Sequence, residues 1–437
     1  MTLAATTDRA DLVTQRDRLR ALAGSAIGST IEWFDYFLYG TMAVLVFGKL
    51  FFPSTDPLIS QMLALTTFAL AFLVRPLGGI FFSHIGDRIG RKKTLVVTLS
   101  LMGGSTAAMG LLPTYDMVGL WAPVMLTVLR LLQGLALGGE WGGGLLLAVE
   151  YSPRHRRGLY GAIPQLGALL GLALGNIVAS LITSALSEDA FVSWGWRVPF
   201  VASIVLVFLG LWIRKQVAET PSFRKVLEAR EVSKVPLVET LKNYRPQLFT
   251  ALGAKAIEAS SFFFFATFMV YYLPSVGFER SQALNAVLLA ALVGIVFMPL
   301  FGALSDRIGR KRVFLGGALA MVLYAIPFFW LVNQGSYPLA VIALVLGLAV
   351  IWTTYGSTLG TLLAESFPPE IRYTGTSLPY HVGAAIVGGP MPLIATALLA
   401  KYDGNYLPIA LFLMGCGTVS LVAVWFIEDK TGRNLDS

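Results

Sequence analysis

The sequence predicts an all-α membrane protein of twelve transmembrane helices arranged as two six-helix bundles. Of 437 residues, 56% are hydrophobic and only 13% charged, with a mean hydropathy of +0.70, more apolar surface than a soluble globule can hide. Apolar runs of about 17 to 25 residues, long enough to cross a hydrocarbon core of about 30 Å, recur along the chain. The hexapeptide Asp87-Arg88-Ile89-Gly90-Arg91-Lys92 returns 219 positions later as Asp306-Arg307-Ile308-Gly309-Arg310-Lys311, so one half of the chain repeats the other.

The first six spans fall near 22–47, 59–82, 94–113, 120–148, 159–185 and 197–213, and the second six near 248–273, 282–303, 313–332, 337–363, 375–400 and 406–427. This divides the chain into a tail (1–21), a first half (22–213), a linker (214–247), a second half (248–427) and a second tail (428–437). In the linker, Glu219-Thr220-Pro221 followed by Phe223, Val226 and Leu227 reads as a capped amphipathic helix. The first 20 residues lack an apolar core, so no cleavable signal peptide is expected and the first span doubles as the targeting element.

An even number of spans puts both termini and alternate connectors on one side. That side holds 26 of the 33 Lys and Arg, and the other holds Lys49, Arg197, Arg280 and Lys401. The rich side is therefore expected to be cytoplasmic, with both termini there, as in a bacterial inner membrane. The same placement explains the net charge of +8 as topology and leaves no nucleic-acid partner to expect. Cys416, the single cysteine, excludes an intrachain disulfide. No metal-ligand cluster, nucleophile triad or phosphate loop stands at suitable spacing, so an enzyme is not expected and no cofactor or metal is called for.

Seven ionisable residues lie inside spans: Glu32, Asp35, Arg75, Arg130, Glu140, Lys255 and Glu258. At about 2.5 to 3.5 kcal/mol each for a lipid-facing charge, they must face one another or a wet cavity. Glu32, Asp35 and Tyr39 share a helical face at i, i+3 and i+7. Two acids on one face can take up and release a proton as neighbouring helices rearrange, although a fixed ion pair would also account for them. On the fourth span Arg130, about 13 Å from its outer end, offers a cation at the depth of Asp35, with Gln133 one turn on. Gly134, Gly138 and Gly142 form a stripe that permits close helix approach. Arg75 and Glu140 sit at matching depth and read as a structural ion pair.

On the seventh span, Lys255 and Glu258 either neutralise each other or contact a substrate carboxylate and hydroxyl, while Phe262 to Phe265 surround the helix as packing. Tyr39, Gln133, Gln165, Trp352, Tyr355, Ser357, Tyr380 and His381 are candidate polar handles for a substrate in an aromatic-lined cavity. A lone histidine such as His381 is also at home as an interhelical hydrogen bond.

In each duplicated turn a glycine, Gly90 or Gly309, relieves a tight bend. The bland reading is a topology anchor, but an anchor needs no Asp87 or Asp306. A second duplication, Glu150 with Arg157 and Glu365 with Arg372, each seven apart, lies at the same surface. With Arg88, Arg91, Arg307 and Arg310 these residues suffice for a salt-bridge lattice that forms in one conformation and breaks in another.

As a set these motifs resemble the major facilitator superfamily, over essentially the whole chain. The superfamily's signature opens with glycine four positions before the aspartate; here that is Gly302 in the second copy and Ser83 in the first. Three segments are similar to its metabolite:proton symporter group: Gly28 to Gly40 with Glu32-Trp33-Phe34-Asp35, Arg130-Leu131-Leu132-Gln133-Gly134 running on to Glu140-Trp141, and Ser193-Trp194-Gly195-Trp196-Arg197-Val198-Pro199-Phe200. The overall run looks closest to the shikimate-permease branch, with Lys255 where that branch has Arg. The resemblance implies a monomeric proton-coupled carrier of a small polar metabolite, an organic acid, that works by rocking of its two halves. Glu32, Asp35 and Arg130 would serve proton coupling, Lys255 and Glu258 the substrate, and the duplicated turns the cytoplasmic gate. The alternatives are a carrier of zwitterionic osmolytes such as proline or betaine and, more remotely, a membrane enzyme or sensor.

Overall fold

A backbone in hydrocarbon has no hydrogen-bond partners but its own, which makes each apolar run a helix. The computed structural model describes residues 15–89, 91–139, 141–216, 236–368 and 371–433, and no strand occurs among them. The first half runs α1 (Leu22–Phe51), α2 (Pro57–Ile89), α3 (Arg91–Met109), α4 (Trp121–Gly138 and Trp141–Glu150), α5 (Arg157–Ala185) and α6 (Arg197–Gln216). The second runs α7 (Arg245–Ser275), α8 (Arg280–Ile308), α9 (Arg310–Val332), α10 (Tyr337–Ser366), α11 (Arg372–Lys401) and α12 (Leu407–Trp425). Among the described residues ten helices are long and apolar enough to span a membrane. The pair Glu188–Gly195 and Arg197–Trp212, bent by 48°, makes an eleventh, and Val96–Met109 is shorter.

Several boundaries differ from the sequence reading, by up to seven residues. The third span, expected near 94–113, stops at Met109, where Gly110 and Pro113 disfavour a further turn. Its end is capped by the Arg197 guanidinium, which donates to the carbonyls of Gly110, at 3.0 Å, and Leu112. The second span, expected to stop at 82, continues as helix to Ile89, into the first basic turn. The amphipathic helix expected in the linker lies outside the described residues, as do the side chains of Asp87, Arg88 and Arg91.

Within the halves α1 packs along α5, α2 along α4, α3 along α6, and α7 and α9 along α12; across the halves α5 meets α8 and α2 meets α11. The glycine stripe works as expected: a Cβ on Gly134 would lie 2.2 Å from the Ala71 carbonyl oxygen and one on Gly138 2.0 Å from that of Arg75, so α4 touches α2 backbone to backbone. Gly302 does the same between the halves, where a Cβ would fall 2.8 Å from the Gly158 carbonyl oxygen. At the turn after α8, Gly309 has a φ of 100°, open only to glycine at little cost.

Burial separates inner from outer helices. The spans α1 and α7 are 83% and 94% buried, against 33% for α8 and 39% for α12, whose outer faces are apolar. The four consecutive phenylalanines of α7 are all buried, as a helix surrounded by protein requires. Single-turn π-helical segments interrupt α1 (Ala43–Phe47), α7 (Phe264–Phe268) and α11 (Ala384–Gly388), and a longer one α10 (Val345–Trp352). Such bulges weaken the helix ladder where it must bend and cluster at functional sites.

Candidate functional site

Three polar constructions occupy the interior. The first lies within the first half. The Asp35 carboxylate accepts the Thr106 hydroxyl at 3.0 Å, Thr106 accepts the Gln133 amide at 2.8 Å, and the Gln133 carbonyl accepts Nη1 of Arg130. Arg130 therefore reaches Asp35 through two uncharged side chains rather than directly. Its guanidinium lies over the rings of Tyr39 (3.7 Å) and Tyr36 (4.6 Å), which take the place of a carboxylate partner. Tyr39, expected at the substrate, instead closes this cluster through a hydroxyl contact with Thr67, and Gln133 is a link in the relay. Glu32 is buried on α1.

The second is a void between the halves, about 10 Å³ in volume and lined by Trp33, Phe72 and Arg75 from the first bundle, Lys255, Glu258 and Phe263 from α7, and Gln165, Trp352 and Tyr380. A space that small holds about one water, so the site is collapsed in this conformation. Lys255 is salt-bridged to Glu258 and lies 3.4 Å from the centre of the Tyr380 ring. Tyr380 stacks on Trp141 at 3.4 Å, Trp141 donates to Gln165 at 3.3 Å, and Gln165 reaches the Gly356 carbonyl at 3.5 Å. The Trp352 indole donates to the Glu258 carbonyl at 3.0 Å and its ring stacks on Phe262.

Of the expected handles, Gln165, Lys255, Glu258, Trp352 and Tyr380 line this void, whereas Tyr355 turns to Ser261 (2.8 Å) and His381 packs at the edge of Trp141 and Tyr380. Arg75 is also in the wall, over the faces of Phe72 (4.2 Å) and Tyr36 (4.7 Å); Glu140, its expected partner, lies outside the described residues. Thr106 was missed, because one hydroxyl on an apolar span carries no mark until the helices around it are placed.

The third construction closes the side that carries the basic turns. Asp306 accepts the backbone amides of Gly158 (2.7 Å) and Leu159 (3.0 Å), at the start of α5. Arg310 holds Asp306 at 3.1 Å and Glu365 at 2.9 Å, and Arg157 of the first half lies 3.6 Å from the same Glu365. Arg157 also donates to the Arg433 carbonyl at 2.7 Å. The expected charge lattice is thus present in the second copy. Arg372 donates to the Phe367 carbonyl at 3.1 Å, whereas Arg307 and Glu150 are exposed.

The opposite side is held differently. There a cleft of about 610 Å³ separates the ends of α1 and α2 from α7 and α8. Beside it Glu188 of the first half reaches Arg280 of the second at 3.8 Å and Lys49 of its own half at 3.6 Å, all three more than half exposed. Exposed pairs contribute about 0.2 to 1 kcal/mol, while breaking a buried one costs about 3 to 5 kcal/mol. The halves are clamped on the basic side and only tethered on the other.

Two helical bundles joined over a midplane void, with one face shut by buried ion pairs and the other open as a cleft, define a membrane transporter. The comparisons name its kind. Residues 25–378 match the model of the Major Facilitator Superfamily. The chain is 38% identical over 434 residues to the Inner membrane metabolite transport protein YhjE of Escherichia coli, with 96% of each covered. It is 35% identical to that organism's Shikimate transporter over 94% of each chain, and 34% identical to its Proline/betaine transporter over 95% of this chain and 84% of the relative. A crystal structure of a D-xylose-proton symporter superposes with a TM-score of 0.75 at 16% identity, covering 95% of this chain and 99% of that one. The chain belongs to the Major Facilitator Superfamily; it is a multi-pass membrane transporter and not an enzyme.

Proposed function

We propose that this transporter is a proton-coupled symporter that imports a small organic acid across a bacterial inner membrane, as a monomer with both termini cytoplasmic. Protons are the coupling ion, and no other cofactor takes part. The observation that carries the reading is the separation of two polar sites: an Asp35 relay enclosed in one half, and a void between the halves with the Lys255 and Glu258 pair in its wall. Asp35, with Glu32 beside it, takes the proton, and Arg130 acts on it through Gln133 and Thr106. A substrate in the void touches both halves, so its arrival and departure accompany their rocking. The Asp306, Arg310, Glu365 and Arg157 cluster is the cytoplasmic gate.

Two cations, Arg75 and Lys255, stand against one carboxylate, Glu258, in the wall, which favours an anionic substrate. The names of two relatives, Shikimate transporter and Proline/betaine transporter, mark the two chemistries to separate. The second reading, a zwitterionic osmolyte, has its own support in the aromatic faces of Trp33, Phe72, Trp352 and Tyr380, which suit a quaternary ammonium. Uptake into proteoliposomes under an imposed pH gradient, screened over organic acids, sugar acids and betaines with a protonophore control, tests both. Inhibition by betaine but not by shikimate or dicarboxylates overturns the organic-acid reading.

A further inference from the structure

The void holds two cations in different states. Lys255 is answered on its own helix: its ammonium is bound to Glu258 and covered by the Tyr380 ring. Arg75 is not answered in that way. It is 2% exposed, it lines the void, and among the described residues neither its Nε nor its Nη2 has a hydrogen-bond partner. Among the described residues the faces of Phe72, Tyr36 and Trp33 lie against it at 4.2, 4.7 and 5.6 Å. These hold the plane of the guanidinium and supply no oxygen to its edge. A buried guanidinium is costly in proportion to the donors left without acceptors. Nε and one Nη form the edge that meets a carboxylate in two parallel hydrogen bonds. Arg130 also has unpartnered donors, but it sits in the Asp35 relay and is not part of the wall.

From this geometry we infer that Arg75 is the specificity-determining residue of the central site and receives the substrate carboxylate on its Nε and Nη2 edge. Lys255 holds Glu258 in place, and Glu258 faces the substrate's hydroxyl groups. The inference rests on the organic-acid reading and deepens it. It assigns the anion to the second helix of the first half, so that the substrate bridges the halves when its hydroxyls meet α7 of the second. It also explains why a chain with lysine rather than arginine on α7 can handle a carboxylate: the bidentate fork is supplied from α2.

The test is equilibrium binding of shikimate and of its uncharged methyl ester to the full-length protein in nanodiscs, for the parent, Arg75→Gln and Arg75→Lys. The parent should prefer the anion. Arg75→Gln should weaken shikimate binding by about 10- to 100-fold, the loss of a charge-assisted bidentate contact, and leave the ester within about twofold, which also reports an intact site. Arg75→Lys keeps the charge without the fork and should fall between; it decides the matter if Arg75→Gln does not fold. Anion preference undiminished from the parent's in either variant overturns the inference alone. If the parent binds neither shikimate nor α-ketoglutarate nor citrate, the organic-acid reading itself fails, and the inference with it.

Discussion

The carboxylate of Asp306, in the second half, accepts the amide of Gly158, in the first, at 2.7 Å. A side chain of one bundle thereby caps the first turn of a helix in the other, so the two halves cannot part on this side without exposing that helix end. Asp306→Ala removes the cap and its charge, a loss of about 1 to 2 kcal/mol, and should shift the population toward a cytoplasm-open state. In a Cys416→Ser background, a cysteine at Thr361, buried beneath the lattice on α10, should react with an impermeant thiol reagent about tenfold faster from the cytoplasmic side. An unchanged rate would show that the contact does not hold the gate.

Glu365 is the hub of the same lattice, since Arg157 and Arg310 both converge on it. Glu365→Gln leaves two buried guanidinium groups short of a countercharge, and breaking such a pair costs about 3 to 5 kcal/mol. The thermal midpoint in detergent should fall further for Glu365→Gln than for neutralisation of the exposed Glu188, where about 1 kcal/mol or less is at stake. Equal shifts would contradict the contrast drawn between the two sides.

Thr106 is the only side chain that hydrogen-bonds Asp35 among the contacts described. Thr106→Val keeps the shape and removes the link, worth about 1.5 to 3 kcal/mol to an ionised partner. The midpoint of the pH profile of uptake should move by about 1 to 2 units, with uptake at the optimum within about twofold. Arg130→Ala should flatten the profile. A profile unmoved by both changes would uncouple the relay from proton binding.

Lys255 and Glu258 present the choice between structure and function most sharply. Neutralising either alone strands the other as a buried charge and should lower thermal stability markedly, by the equivalent of about 3 to 5 kcal/mol. The double change Lys255→Gln with Glu258→Gln should recover most of that stability and still fail to transport. Transport restored in the double variant would reduce the pair to a structural element.

The legibility of the chain divides along physical lines. Span positions follow from apolar length, and the structure matches them to within about three residues except where α3 ends early, at Met109, and α1, α2 and α8 run on to Phe51, Ile89 and Ile308. The charge lattice was visible as a duplication, and its members Arg157, Asp306, Arg310 and Glu365 meet. That Asp306 would choose the amides of Gly158 and Leu159 was not visible, because a backbone donor leaves no trace in sequence. Depth along a helix can be counted, so Asp35 and Arg130 were placed at one level. The angle at which each faces its neighbour cannot, which is why Thr106 carries no mark in the sequence and why Tyr39 and Gln133, candidate substrate contacts, are found in the Asp35 cluster; the partner expected for Arg75, Glu140, lies outside the described residues.

The central claim is that Asp35 carries the coupling proton while the substrate occupies a different site. The most direct measurement is uptake by Asp35→Asn in proteoliposomes under an imposed pH gradient, paired with gradient-free counterflow exchange of the same organic acid. Loss of accumulation with exchange retained is the predicted result; undiminished proton-driven accumulation would contradict it.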